Sequence, residues 1–124
     1  MLRWADDSRS EEQRQLFLDM ARLNDAGMLV ARDHSGREFA DMIVDQFEEL
    51  LEASERQPLV FALSLHGFIV GQPFRLRPLR QAIKHCVEHK DAGRVWFTRA
   101  GDIASYCQAM RPGIIPGSVT AAAA

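Results

Sequence analysis

At 124 residues and 14.0 kDa, the chain has room for one ordinary domain, and its 47% hydrophobic and 26% charged residues are those of a globular protein. A net charge of −2 removes the bulk electrostatic case for nucleic-acid binding, and no apolar run nears the ~20 residues a membrane-spanning helix needs. The opening Met1-Leu2-Arg3-Trp4-Ala5-Asp6-Asp7 places acids where a signal peptide carries its apolar core, and Cys86 and Cys107 supply no disulfide framework, so a reducing cytoplasm is the expected compartment.

The charge is unevenly spread. Met1 to Gln57 holds 7 Lys/Arg against 14 Asp/Glu, whereas Pro58 to Ala124 holds 8 against 3. An acidic solvated helix followed by a basic loop and helix accounts for this, with Arg75, Arg77 and Arg80 as a local rim that suits an anion.

In chain order, Leu16, Met20 and Leu23 recur at helical spacing and predict a short amphipathic helix over 10–23, closed by the turn residues Asn24-Asp25-Ala26-Gly27. Met28–Ala31 is too short to assign. Ser35 with Glu38 fits a capping box, in which the hydroxyl takes the N3 amide and the carboxylate returns to the cap amide. Phe39, Ile43, Phe47, Leu50 and Leu51 then form one apolar stripe of a helix, opposite Asp41, Asp45, Glu48, Glu49 and Glu52.

Leu59-Val60-Phe61-Ala62-Leu63-Ser64-Leu65 is almost continuously apolar and predicts a strand buried on both faces, the kind found in helix-covered parallel sheets. Gly67 to Phe74 reads as a loop. Pro78 suits the first turn of another helix, with Leu79, Ile83, Cys86 and Val87 as its stripe. Val95-Trp96-Phe97-Thr98 predicts a short strand, Trp96 and Phe97 lying in the core, and Thr98 is placed to cap a last helix bearing Ile103, Tyr106, Cys107 and Met110. The expected fold class is therefore α/β, a parallel βαβ unit with flanking helices. Residues 1–34 form a poorly assigned N-terminal segment, 35–110 the domain, and 111–124 a tail with nothing to bury.

In such folds chemistry collects where strands end and loops begin. Leu63-Ser64-Leu65-His66-Gly67 puts a histidine there, able to exchange protons near neutral pH, and a glycine that permits close approach. His85-Cys86-Val87-Glu88-His89 spells the inverted zinc-protease pattern H-x-x-E-H. It falls in a last helical turn with no third ligand following, so a solvated helix end is expected and no metal site. Cys86 and Cys107 lie on apolar stripes and are expected to pack.

Leu63-Ser64-Leu65-His66 resembles the last motif of the polysaccharide deacetylase (NodB-homology) family. Gly71-Gln72-Pro73-Phe74-Arg75-Leu76-Arg77-Pro78-Leu79 resembles its allantoinase-like branch, as do Phe39–Asp45 and Val95–Thr98. The resemblance runs from about Gly36 to Cys107. It implies the C-terminal portion of a deformed (β/α) barrel and hydrolysis of non-peptide C–N bonds, in an N-acetyl group or a cyclic amide. It implies a general-acid role for His66 alone; the loop Gly67–Arg75 that follows is expected to shape the pocket, with Gly67, Gln72 and Arg75 as substrate-binding residues. The family's Asp-Asp motif is not recognisable, Asp6-Asp7 being the sole Asp-Asp pair and following no apolar strand, and no metal-binding His-x-x-x-His pair precedes His66. No cofactor is therefore expected in this chain, a divalent metal belonging only to complete members of the family. The expected partners are a small-molecule or carbohydrate substrate and either a second copy of the chain or a missing N-terminal half. The competing expectation is a non-catalytic half-barrel that assembles with itself or a partner to cover its strand edges.

Overall fold

A computed structural model describes residues 24–114. Four helices carry them: α1 (Gly36–Ala53), α2 (Gly67–Val70), α3 (Pro73–Val87) and α4 (Ala100–Ala109). A π-helical turn over Ala26–Ala31 precedes α1, and a 3₁₀ turn over Ala92–Arg94 separates α3 from α4. The helix expected over 10–23 lies outside the described residues, as does the tail beyond 114.

α1 starts because Ser35, in extended conformation, accepts the Glu38 N–H on its hydroxyl (3.1 Å), leaving one fewer orphan amide in the first turn. The return half of the expected box takes another form. The Glu38 carboxylate accepts from the Ser35 hydroxyl (3.2 Å) and pairs with His34 Nδ1 (2.7 Å). Those two hydrogen bonds, His34 first, hold the Glu38 carboxyl below its ordinary value. Phe39, Ile43, Phe47, Leu50 and Leu51 are all buried, as their spacing predicts.

α1 packs against α3, and the two run parallel: Gly36 at the start of α1 lies on Arg75 near the start of α3, and Glu48 further along meets His85 further along. A Cβ at Gly36 would come within 2.9 Å of the Arg75 Cα, so glycine sets this close helix approach. The main cluster joins Phe39, Ile43, Phe47 and Leu51 of α1 to Leu79, Ala82 and Cys86 of α3, with Met28 and Leu29 at one end.

α3 begins five residues earlier than expected. Pro73, whose ring presets a helical φ and which lacks an N–H that would be orphaned anyway, occupies the first turn, and Pro78 lies inside the helix. The buried face of α3 is correspondingly Pro78, Leu79, Ala82 and Cys86, while Ile83 and Val87 are exposed.

The largest departure is the absence of a sheet among the described residues, which overturns the parallel βαβ unit and the barrel portion. Residues 58–65 belong to no helix or strand and pair with the rest of the described chain at a single parallel bridge, Asn24 with Ser64. Phe61 and Leu63 pack on the helical core, whereas Val60 and Leu65 point outward, so one face is covered rather than two. Residues 95–99 form no strand either. Val95 touches the core, but Trp96 and Phe97 are 57% and 52% exposed, Trp96 meeting the Tyr106 ring edge-on at 5.7 Å. An apolar run specifies burial only where a second layer exists to receive it, and here the helices bury one another. Arg99 rather than Thr98 stands at the cap of α4; Thr98 instead donates to Asp102 Oδ2 (3.2 Å). Among the described residues no helix is long and apolar enough to cross a membrane.

Candidate functional site

His66, itself extended, follows the apolar segment 58–65 directly and stands at the cap position of α2, its carbonyl accepting the N–H groups of Ile69 (2.9 Å) and Val70 (3.0 Å). Its ring is held by Asp25, a residue the sequence marks only as part of a turn. Asp25 is fully buried, and its carboxylate collects three N–H donors: the Ala26 amide at 2.7 Å, the His66 amide, and His66 Nδ1 at 2.6 Å. Two local features aim it. The Asp25 N–H donates to the Ser64 carbonyl (3.1 Å), tying this turn to the end of the apolar segment, and Asn24 Oδ1 accepts the Gly27 N–H (2.6 Å).

A carboxylate can only accept hydrogen bonds, so Nδ1 must be the nitrogen that donates to Asp25. That fixes the neutral ring in the Nδ1–H tautomer and leaves Nε2 for the solvent side, where 47% of the His66 side chain is exposed. A fully buried carboxylate that orients a half-exposed imidazole is the arrangement that positions a histidine for proton transfer and stabilises it when charged. The Phe68 ring, itself exposed, lies edge-on to the imidazole at 5.7 Å and forms one wall beside it.

The other expected site residues differ in how far they join this centre. A Cβ at Gly67 would meet no atom within 4 Å, so the chain's own packing does not require glycine there. Gln72 is exposed and contributes its backbone carbonyl to the start of α3, accepting from Arg75 (2.9 Å) and Leu76 (2.8 Å). Arg75 is half-buried; its guanidinium donates to the Ile69 carbonyl (3.4 Å) and lies 5.2 Å from the Phe74 ring centre. It therefore braces α2 against α3. The expected arginine rim is split, since Arg77 and Arg80 share a shallow hollow with Pro73 and Leu76 instead.

A second histidine–carboxylate cluster stands near the C-terminal ends of α1 and α3. Glu48 Oε1 lies 2.6 Å from His85 Nε2 and 3.1 Å from His89 Nε2. The contact with His85, more than any other, holds the Glu48 carboxyl below its ordinary value. Cys86, between the two histidines in sequence, points into the core, and burial pushes its thiol up. The sequence shows the histidine pair but not its third member, which comes from a helix 37 residues earlier. Asp25 was equally hidden, 41 residues from its partner. Its only signal is an acid beside a turn that precedes an apolar segment.

Comparison with protein-family models, with curated proteins and with solved structures finds no match for this chain.

Proposed function

We propose that the chain carries the general acid of a hydrolase acting on non-peptide C–N bonds, of the deacetylase or allantoinase-like kind its sequence resembles. The observation that carries this reading is the buried Asp25 carboxylate on His66 Nδ1. In this role His66 Nε2 bears the proton that the departing nitrogen needs as the C–N bond breaks, and the charge left on the ring in its protonated state is balanced by Asp25. The nitrogen leaves as a neutral amine or amide rather than as an anion, and the imidazole is left neutral. Such proton delivery is worth about 10²–10⁴ in rate. The dyad supplies the acid; activation of the attacking water needs a further group.

The test is hydrolysis of an N-acetylated amino sugar and of a cyclic ureide, followed by amine or ureide release. Turnover by the 124-residue chain, expected to be slow or absent without a water-activating group, is followed at high protein concentration. His66→Gln should then lower kcat by about 10²–10⁴ with KM little changed. Turnover indifferent to His66 refutes the assignment.

A second reading, a non-catalytic module that assembles with itself or a partner, is favoured by residues 58–65. They belong to no helix or strand, are bridged only at Ser64 among the described residues, and expose Val60 and Leu65. A segment bridged at one residue and apolar on its outer side is open to pairing with a second chain. Sedimentation across a hundredfold dilution decides it: a monomer at every concentration, with unchanged stability, excludes obligatory pairing.

A further inference from the structure

We infer that Glu48, His85 and His89 form a binding site for one divalent first-row transition metal ion, with Zn²⁺ the best match. His85 lies in the last turn of α3 and His89 two residues beyond its end, their rings 5.7 Å apart, and Glu48 on the parallel neighbour α1 closes the third corner. One ligand atom from each lies within 4.8 Å of those of the other two. Tetrahedral ligands held ~2.0–2.2 Å from zinc stand roughly 3.3–3.5 Å from one another. The observed edges are 2.6 and 3.1 Å, so the Glu48–His85 edge must open by a little under ~1 Å and the Glu48–His89 edge by a few tenths, a movement that rotation of the half-exposed Glu48 carboxylate and His85 ring supplies.

The rings are already oriented. Phe47 of α1, buried in the core, lies edge-on to His89 at 5.5 Å and to His85 at 6.4 Å, and the two imidazoles lie 5.7 Å apart. His89 is only 11% exposed, whereas His85 and Glu48 are each 43% exposed, so the site has a fixed floor and a solvent side. On that side Asp45, Glu49 and Glu52 of α1, with Glu55 just beyond it, line the adjoining hollow with Lys90, Asp91 and Arg94, an acidic surround that favours a cation. Two imidazoles with one carboxylate suit zinc, cobalt, nickel or copper rather than calcium or magnesium. Three protein ligands leave the fourth position to water.

The alternative is that both histidines are merely proton partners of Glu48, and one contact separates the two cases. The Asp91 N–H donates to His89 Nδ1 at 3.1 Å, so in the metal-free form the His89 proton sits on Nε2, facing Glu48. A metal at Nε2 moves that proton to Nδ1 and turns the Asp91 amide away. No third ligand follows the histidine pair in sequence; Glu48, 37 residues earlier on α1, is that ligand.

The full chain, stripped with a chelator, is titrated with Zn²⁺ by calorimetry and with Co²⁺ by visible absorption. The expected result is one equivalent bound, tetrahedral cobalt bands, and a displaced Asp91 amide resonance. His85→Ala and Glu48→Gln, both at half-exposed positions whose folding is checked by circular dichroism, should each weaken binding at least tenfold. His34→Ala and His66→Ala should leave it unchanged. Affinity no tighter than about 1 mM, binding indifferent to His85 and Glu48, or an unmoved Asp91 amide overturns the site. Because His66 serves as a control, failure here leaves the general-acid reading standing.

Discussion

Replacing Asp25 by asparagine isolates what the buried carboxylate does for His66. Three N–H groups converge on its two oxygens, the Ala26 amide and His66 Nδ1 on Oδ1 and the His66 amide on Oδ2. An asparagine offers one oxygen and an NH₂ group in the same volume. If its oxygen takes the Oδ1 place, the NH₂ faces the His66 N–H; if the Oδ2 place, it faces the Ala26 N–H. Either way one backbone donor is stranded in a site of zero exposure, at about 1–3 kcal/mol. The surviving bonds also fall from charged to neutral strength, which adds about 1–2 kcal/mol. We therefore expect a loss of about 2–5 kcal/mol, read as a lower urea midpoint at unchanged slope. Nitrogen NMR of the ring supplies the second readout: the Nδ1–H tautomer in the parent, and a shift toward Nε2–H in the variant. A loss under about 0.5 kcal/mol with an unmoved ring signature would refute the geometry.

Further substitutions probe the frame that holds the site. Ile43 has zero exposure at the centre of the cluster, so Ile43→Ala should cost about 2–5 kcal/mol and Ile43→Val only about 0.5–1.5, both by urea unfolding. Equal losses from the two would mean the residue is not packed as described. Gly36→Ala pushes a Cβ against the Arg75 backbone and should cost about 1–3 kcal/mol, while Gly67→Ala meets open space and should leave the midpoint unmoved. If Gly67→Ala abolishes hydrolysis without touching stability, the glycine serves the ligand. Glu38 is held below its usual 4.5 by His34 and Ser35, so its folded value lies beneath its unfolded one. Its stabilisation is thus present above the unfolded value and disappears as pH falls through the folded one. Thermal unfolding from pH 6 down to 3 should show a shallower acid decline in Glu38→Gln, and parallel curves would count against the pairing.

How far the sequence foretells this molecule depends on whether a signal is local. The stripe from Phe39 to Leu51 is read correctly because 3.6-residue spacing and the Ser35 cap are properties of one segment. Leu59–Leu65 is misread because apolar content records a tendency to be buried, while a ladder needs a partner strand that composition cannot name. The start of α3 is misplaced for a subtler reason: Pro73 and Pro78 both carry the φ of a helix, and only packing of Leu79, Ala82 and Cys86 on α1 decides that the helix runs through the second. Trp96 and Phe97 show the same limit, as large apolar side chains that the helices leave uncovered. His66 stands out by its place after an apolar run, but Asp25, which gives that histidine its tautomer, is visible only in three dimensions.

The parallel packing of α1 and α3 explains why two histidine–carboxylate centres coexist without interfering. Gly36 beside Arg75 fixes the starts of both helices at one end, where the turn at Asp25 enters α1 and the His66 segment enters α3 by way of α2. Glu48 lies twelve residues along α1, roughly 18 Å away at 1.5 Å per residue, and its histidine partners lie at the far end of α3. Helix dipoles sharpen the division, since the partial negative charge of a C-terminus favours a cation. His85 and His89 stand where that field helps a metal ion bind. His66, at the opposite end, depends on one buried carboxylate for its orientation. Each centre can therefore be removed alone: Asp25→Asn should leave zinc affinity untouched, and Glu48→Gln should leave the His66 ring signature untouched. Coupling of either readout to the other substitution would mean that α1 does not hold the two ends as a rigid spacer.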